Sequence, residues 1–233
     1  MLTMILIGFA AGLCVPFVAS RFGKYLPSDP GTALSQMWHR PRFPKGLSAT
    51  HRLRFRQMWT KLGMISLLWG GISAGAAALI GIYFPPSAHV WLMFFWLILA
   101  VLTAIDERYF LLPDVLTIPL LLLGLAYSLW GNGIPIETSL AGALYGYLLP
   151  SVSVLIVSPF LKDSFGGGDV KMLAALGAWF GMIPLSVLLL ISVVSFVLWA
   201  VFTKQRAGAY GPHLALAAMI TLFLVQMKAL TFL

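Results

Sequence analysis

"WLMFFWLILAVLTAIDERYFLLPDVLTIPLLLLGL", residues 91–125, is two apolar runs separated by a short polar break. No charged residue interrupts it before Asp106, and after Asp114 the chain is apolar again. A helix crossing a bilayer needs about 20 predominantly apolar residues. Lipid offers its backbone groups no partner, so helix is the form that such a run takes. The stretch therefore reads as two spans, near 88–105 and 114–130, joined by a turn at one membrane face. Composition extends this to the whole chain of 233 residues, of which 60% are hydrophobic and only 9% charged, with a mean hydropathy of +0.94. Soluble domains carry roughly 25% charge. The fold class expected is an all-α polytopic integral membrane protein.

Further apolar runs lie near 2–20, 62–84, 138–159 and 211–232, and a longer region covers 170–203. "GMIP" at 181–184 divides that region into a short span at 170–182 and a second at 183–203, which makes eight in all. The first run is expected to stay as a helix, because it has neither a basic leader nor a strong small-residue cleavage site. The one cysteine, Cys14, rules out an intramolecular disulfide and a cysteine-based metal cluster.

Orientation follows from Lys and Arg, which favour cytoplasmic loops. With the N-terminus outside, 21–61, 106–113, 160–169 and 204–210 are inner loops, and of 15 Lys and Arg only Lys228 falls on the other side. Both termini are then expected on the periplasmic side. Most of the net charge of +8 sits in 21–61, which carries nine basic residues against Asp29. Charge of that kind suits nucleic acid or anionic lipid. Pro27, Pro30, Pro41 and Pro44 argue against a continuous DNA-reading helix, so the segment reads as a topology determinant beside membrane lipids, with no nucleic-acid partner. Two divisions are expected: 1–61, the first helix with its basic loop, and 62–233, the main membrane domain.

This topology puts Asp106 where the third span leaves the membrane and Asp169 where the sixth enters it, at one depth on one face. An ionisable group there is costly and needs a reason. Asp114 has an ordinary one, since it follows Pro113 at a helix start and is expected to act as an N-cap, with a role as a secondary acid as the alternative. Asp106 has none, because at the C-terminal end of a helix its charge opposes the dipole. Glu107 and Asp163 read as solvated polar residues. In "DSFGGGDVKML", residues 163–173, Gly166, Gly167 and Gly168 are able to take positive φ or admit another backbone, which would hold Asp169 in a fixed pose. Lys171, near a helix N-terminus, opposes the dipole and calls for an anionic neighbour, either a carboxylate or a lipid headgroup. No phosphate-binding glycine motif is present.

Together, "IDERYFLLPD" and "FGGGDVKMLAALGAW" resemble the signature of type IV prepilin peptidases, the bacterial branch of the GxGD aspartyl proteases. Ile105–Asp106 and Pro113–Asp114 match the first motif, with seven residues between the aspartates. Gly166, Gly168 and Asp169, followed by Lys171 and Ala174, match the second, and "YGPHLALAA", residues 210–218, is similar to the stretch that opens the family's last helix. The resemblance is good over roughly 88–220 and only in outline before that. It implies a GxGD aspartyl protease-like core with Asp106 and Asp169 as the catalytic pair, supported by Gly166, Gly167, Gly168 and Lys171. It implies prepilin or pseudopilin substrates cleaved at the cytoplasmic face of the bacterial inner membrane. Many members bind zinc through paired CxxC motifs after the first helix; none is present here, and no zinc is expected. S-adenosylmethionine would be the methyl donor if the family's N-methylation is retained, and proteolysis needs no cofactor.

The residues alone leave other classes open. A proton-coupled transporter could use Asp106 and Asp169, although it would favour acids near the bilayer midplane. A presenilin-like protease usually carries a YD-type first motif instead of "AID". A non-catalytic scaffold of a pilus or secretion machine would tolerate Asp106→Asn. Gly142, Ala143 and Gly146 form a small-residue face suited to close helix packing, either against a substrate helix or within the protein.

Overall fold

The computed structural model describes residues 1–25, 49–131, 133–157, 166–205 and 208–227. Among them are eight helices: α1 (Leu2–Tyr25), α2 (Ala49–Tyr83), α3 (Pro86–Tyr109), α4 (Asp114–Leu129), α5 (Ile136–Val157), α6 (Gly167–Phe180), α7 (Met182–Thr203) and α8 (Gly211–Gln226). Four of them, at 2–21, 63–83, 86–109 and 182–203, are long and apolar enough to cross a membrane. The helices follow the order of the eight apolar runs. α6, with 14 residues, is about 21 Å long at 1.5 Å per residue and falls short of a hydrocarbon core of about 30 Å. α2 is longer than its apolar run, because it starts at Ala49 and includes 49–61, which the sequence reading assigned to a loop. Its 35 residues extend about 52 Å, well beyond the hydrocarbon thickness. Pro27, Pro30, Pro41, Pro44 and Asp163 lie outside the described residues.

The chain forms two compact units, 1–82 and 83–233. In the first, α1 and α2 run antiparallel with their backbones close. A Cβ on Gly8 would meet Ala77 at 2.7 Å, and one on Gly12 would meet Ser73 Oγ at 2.6 Å. Small residues one turn apart allow that approach.

In the second unit α6 is the centre, packed chiefly on α5 and α4. Every residue from Met172 to Phe180 is buried, as expected of a helix apolar on all sides. Gly142 and Gly177 bring the backbones of α5 and α6 into direct contact, and Gly146 fits against the Leu173 carbonyl. The small-residue face therefore serves packing within the protein, the second of the two uses open to it. Polar pins complete the cluster: Trp179 Nε1 donates to the Leu120 carbonyl at 2.9 Å, and Ser139 Oγ to the Ala178 carbonyl at 2.6 Å. Gly181 divides α6 from α7 with φ 75°, a conformation that glycine takes without strain. α8 runs antiparallel to α3, with Gln226 Nε2 donating to the Tyr83 carbonyl at 2.7 Å and Phe223 edge-on to Tyr83 and Phe84. The far end of α8 thus reaches the end of α3 that carries Asp106.

Candidate active site

α3 stops abruptly after Tyr109. Phe110 takes a left-handed conformation, φ 52° and ψ 41°, and its N–H donates to the Asp106 carbonyl. Asp106 is thereby held in the last turn, where it is only 5% exposed. The carboxylate is not left unpaired, since the Gly211 N–H donates to Asp106 Oδ2 at 2.7 Å. Gly211 is the first residue of α8, so Asp106 meets the positive end of one helix while ending another. That approach requires glycine: a Cβ at 211 would stand 2.8 Å from Asp106 Oδ2 and 3.1 Å from Asp106 Cβ.

Asp169 lies in the first turn of α6, behind Gly166 at the N-cap with φ −75° and ψ 138°. Its carboxylate reaches back to the Gly166 N–H, the reciprocal half of a capping box. Asp169 precedes the span read at 170–182 and is partly buried. Burial first, and the Asp106 charge second, raise its carboxyl to about 6 against the opposing Gly166 bond. The two carboxyl groups are thus within electrostatic range across 63 positions of sequence. Burial above all, and also the Asp169 charge, push the Tyr210 phenol up, against its hydrogen bond with Ser192. Tyr210 and Ser192 hydroxyls lie 2.6 Å apart.

The glycine run uses one of the two freedoms expected of it, the close approach of another backbone. Gly131 and Gly181 are the described glycines with positive φ, so Gly166, Gly167 and Gly168 do not use that freedom. Gly168 instead admits the chain that follows Asp106, for a Cβ there would be 2.8 Å from Leu112 Cβ. Gly167 has open space around it. Asp114 is not the N-cap of α4. Pro113 occupies that position and Asp114 makes no capping bond. Its carboxylate faces Lys171 Nζ instead, at 2.7 and 2.6 Å, and so provides the anionic neighbour that Lys171 called for. Glu107 is exposed.

Nothing in the motif at 210–218 marks a task for Tyr210 or Gly211. The available signal was a Gly–Pro pair at a helix start, which marks a helix N-terminus but not the distant carboxylate that it meets. Among the described residues, no three His, Cys, Asp or Glu side chains gather to hold a metal ion.

Residues 91–203 match the type IV leader peptidase family. Prepilin leader peptidase/N-methyltransferases are similar to the chain over longer stretches. That of Burkholderia pseudomallei is 35% identical over 185 residues, covering 74% of this chain and 59% of the relative. That of Xanthomonas campestris is 41% identical over 133 residues, 54% and 46% of the two chains, and that of Pseudomonas aeruginosa 39% over 148, 60% and 50%. The chain thus spans about half to three fifths of these relatives. No solved structure matches it.

Proposed function

We propose, from the match of residues 91–203 to the type IV leader peptidase family, that the chain is a prepilin leader peptidase, an aspartic endopeptidase acting through Asp106 and Asp169. The observation that supports the pair most is geometric: Asp106 is buried, and Leu112, in the turn that follows it, packs on Gly168 next to Asp169; burial first, and the Asp106 charge second, raise the carboxyl of Asp169. In the proposed mechanism the two carboxyl groups share one proton and titrate as a pair, as close carboxyl groups do.

In the one-proton state the ionised member takes a proton from water as the water oxygen attacks the scissile carbonyl carbon. The protonated member hydrogen-bonds the carbonyl oxygen and transfers its proton to it, giving a neutral tetrahedral gem-diol. Collapse breaks the C–N bond. The carboxyl that gained the water proton delivers it to the leaving nitrogen, the other recovers a proton from the gem-diol, and the pair is again singly protonated. Gly211 and Gly166 each give one carboxylate a backbone N–H, which fixes both groups without adding a competing acid.

Prepilins or pseudopilins are the proposed substrates, with the short basic leader removed at the cytoplasmic face of a bacterial inner membrane and both termini on the far side. Lys and Arg distribution supports that orientation. Methyl transfer, the second activity in the relatives' name, would draw on S-adenosylmethionine.

The test is leader removal from a prepilin-type substrate in proteoliposomes by wild type, Asp106→Asn and Asp169→Asn, with insertion and folding checked for each. Loss of about 10³-fold or more in both variants is expected. Wild-type rates in either correctly folded variant would remove the pair from the mechanism.

A further inference from the structure

Lys171 is two residues beyond Asp169, and Asp114 opens the helix that follows the Asp106 turn. Their side chains meet at 2.6 and 2.7 Å. Beside them Leu112, itself buried, lies over Gly168, where a Cβ would be 2.8 Å from Leu112 Cβ and 3.1 Å from its carbonyl oxygen. The segment after one aspartate therefore touches the segment around the other at two points, one apolar and one ionic.

The ionic contact is poorly placed to stabilise the fold. Its side chains are 46% and 52% exposed, and pairs so open to solvent contribute little. Lys171 also faces the positive end of α6. The contact is well placed to set geometry. Between Asp106 and Asp114 the chain is stiffened by Phe110, held left-handed at φ 52°, and by Pro113 at the N-cap with φ −73°. A displacement of Asp114 is therefore passed to the last turn of α3. On the other side Lys171 and Asp169 share one turn of helix and move together.

We propose that Asp114 and Lys171 are positioning residues whose ion pair holds the start of α6 against the turn after α3, and so sets the separation between Asp106 and Asp169. The proposal rests on the proteolytic reading and names what keeps its two carboxyl groups in register. Leu112 on Gly168 limits how closely the segments approach, and the ion pair limits how far they part.

The experiment compares wild type, Asp114→Asn, Lys171→Met, Lys171→Arg and the reversed pair Asp114→Lys with Lys171→Asp, all as full chains in proteoliposomes. Each neutralising variant is expected to lower kcat by about tenfold, with KM within about twofold, because reacting groups displaced by a fraction of an ångström lose rate and not binding. Thermal midpoints should stay within about 3 °C of wild type, since the pair is exposed. Lys171→Arg should keep most of the rate, and the reversed pair should recover part of what either neutralising variant loses. Unchanged kcat in both neutralising variants, or losses that track only the unfolded fraction, would overturn the proposal.

A second measurement is independent of proteolysis. In a Cys14→Ser background carrying Asp106→Cys and Asp169→Cys, the rate of closure by a short bifunctional thiol reagent is read with and without Lys171→Met. Slower closure on adding Lys171→Met supports the clamp, and an equal rate refutes it, even if wild type were to cleave no prepilin. That last result would count against the proteolytic reading alone.

Discussion

Replacing Gly211 by alanine puts one methyl group where the backbone of α8 meets Asp106. The new Cβ would lie 2.8 Å from Asp106 Oδ2, 3.1 Å from its Cβ and 3.2 Å from its Cγ, against about 3.4 Å for the near limit of ordinary contact. The oxygen has to withdraw by about 0.6 Å. Rotation of the carboxylate does not relieve the contact with Cβ, one bond from the helix, so α3 and α8 also have to part by about 0.3 Å. The 2.7 Å bond from the Gly211 N–H lengthens as a result. If a misplacement of about 1 Å costs about 100-fold in rate, 0.6 Å costs about 15-fold, or roughly 1.6 kcal/mol of activation free energy. Initial rates of leader removal in proteoliposomes, resolved into kcat and KM, would show the loss in kcat, and thermal unfolding followed in parallel separates it from overpacking damage. Gly71→Ala is the matched control, since a Cβ there meets nothing within 4 Å. A folded Gly211→Ala enzyme with kcat within about twofold of wild type would refute the reasoning that this helix end sets the pose of Asp106.

Because the Asp169 carboxyl is raised to about 6, the singly protonated pair persists below that pH and is lost as pH rises through it. The pH profile of kcat/KM for the free enzyme should therefore fall on its alkaline side with an apparent pKa near 6, and a profile flat to pH 8 would contradict the coupling. Asp106→Asn removes the charge that, after burial, raises Asp169, so the Asp169 carboxyl should titrate lower in that variant when followed by isotope-edited infrared or NMR spectroscopy. Gly177→Ala drives a methyl group into the Gly142 backbone and should cost about 1–3 kcal/mol or more, seen as a lowered denaturation midpoint in detergent. Trp179→Phe keeps an aromatic ring but removes the N–H that donates to the Leu120 carbonyl and part of the buried indole; a loss of about 2 kcal/mol or more is expected, and no change would mean that the carbonyl finds another partner and the site closes over the lost volume.

The amino-acid sequence alone determined the solvent, the helical class and the order of the helices. Hydropathy is a local property of the chain, and lipid permits one local answer to it, so runs such as 91–105 and 183–203 were legible without any neighbour. The break at Gly181 was legible for the same reason, through the Gly and Pro residues of "GMIP". Lys171 could be read as needing an anion, because helix polarity is also local, but its choice of Asp114 could not. Asp114 was misread where a neighbouring proline took the capping position and a lysine 57 residues away took the carboxylate. The glycine run was half legible: close approach of another backbone was expected and occurs at Gly168, while positive φ was expected and does not occur. Tertiary structure alone decided that Gly142 meets Gly177, that Leu112 covers Gly168 and that the start of α8 reaches Asp106. The expectation of equal depth in a membrane rests on composition along the chain. Lateral distance depends on which small-residue faces allow two backbones to close, and that is a property of pairs of helices that no single segment carries.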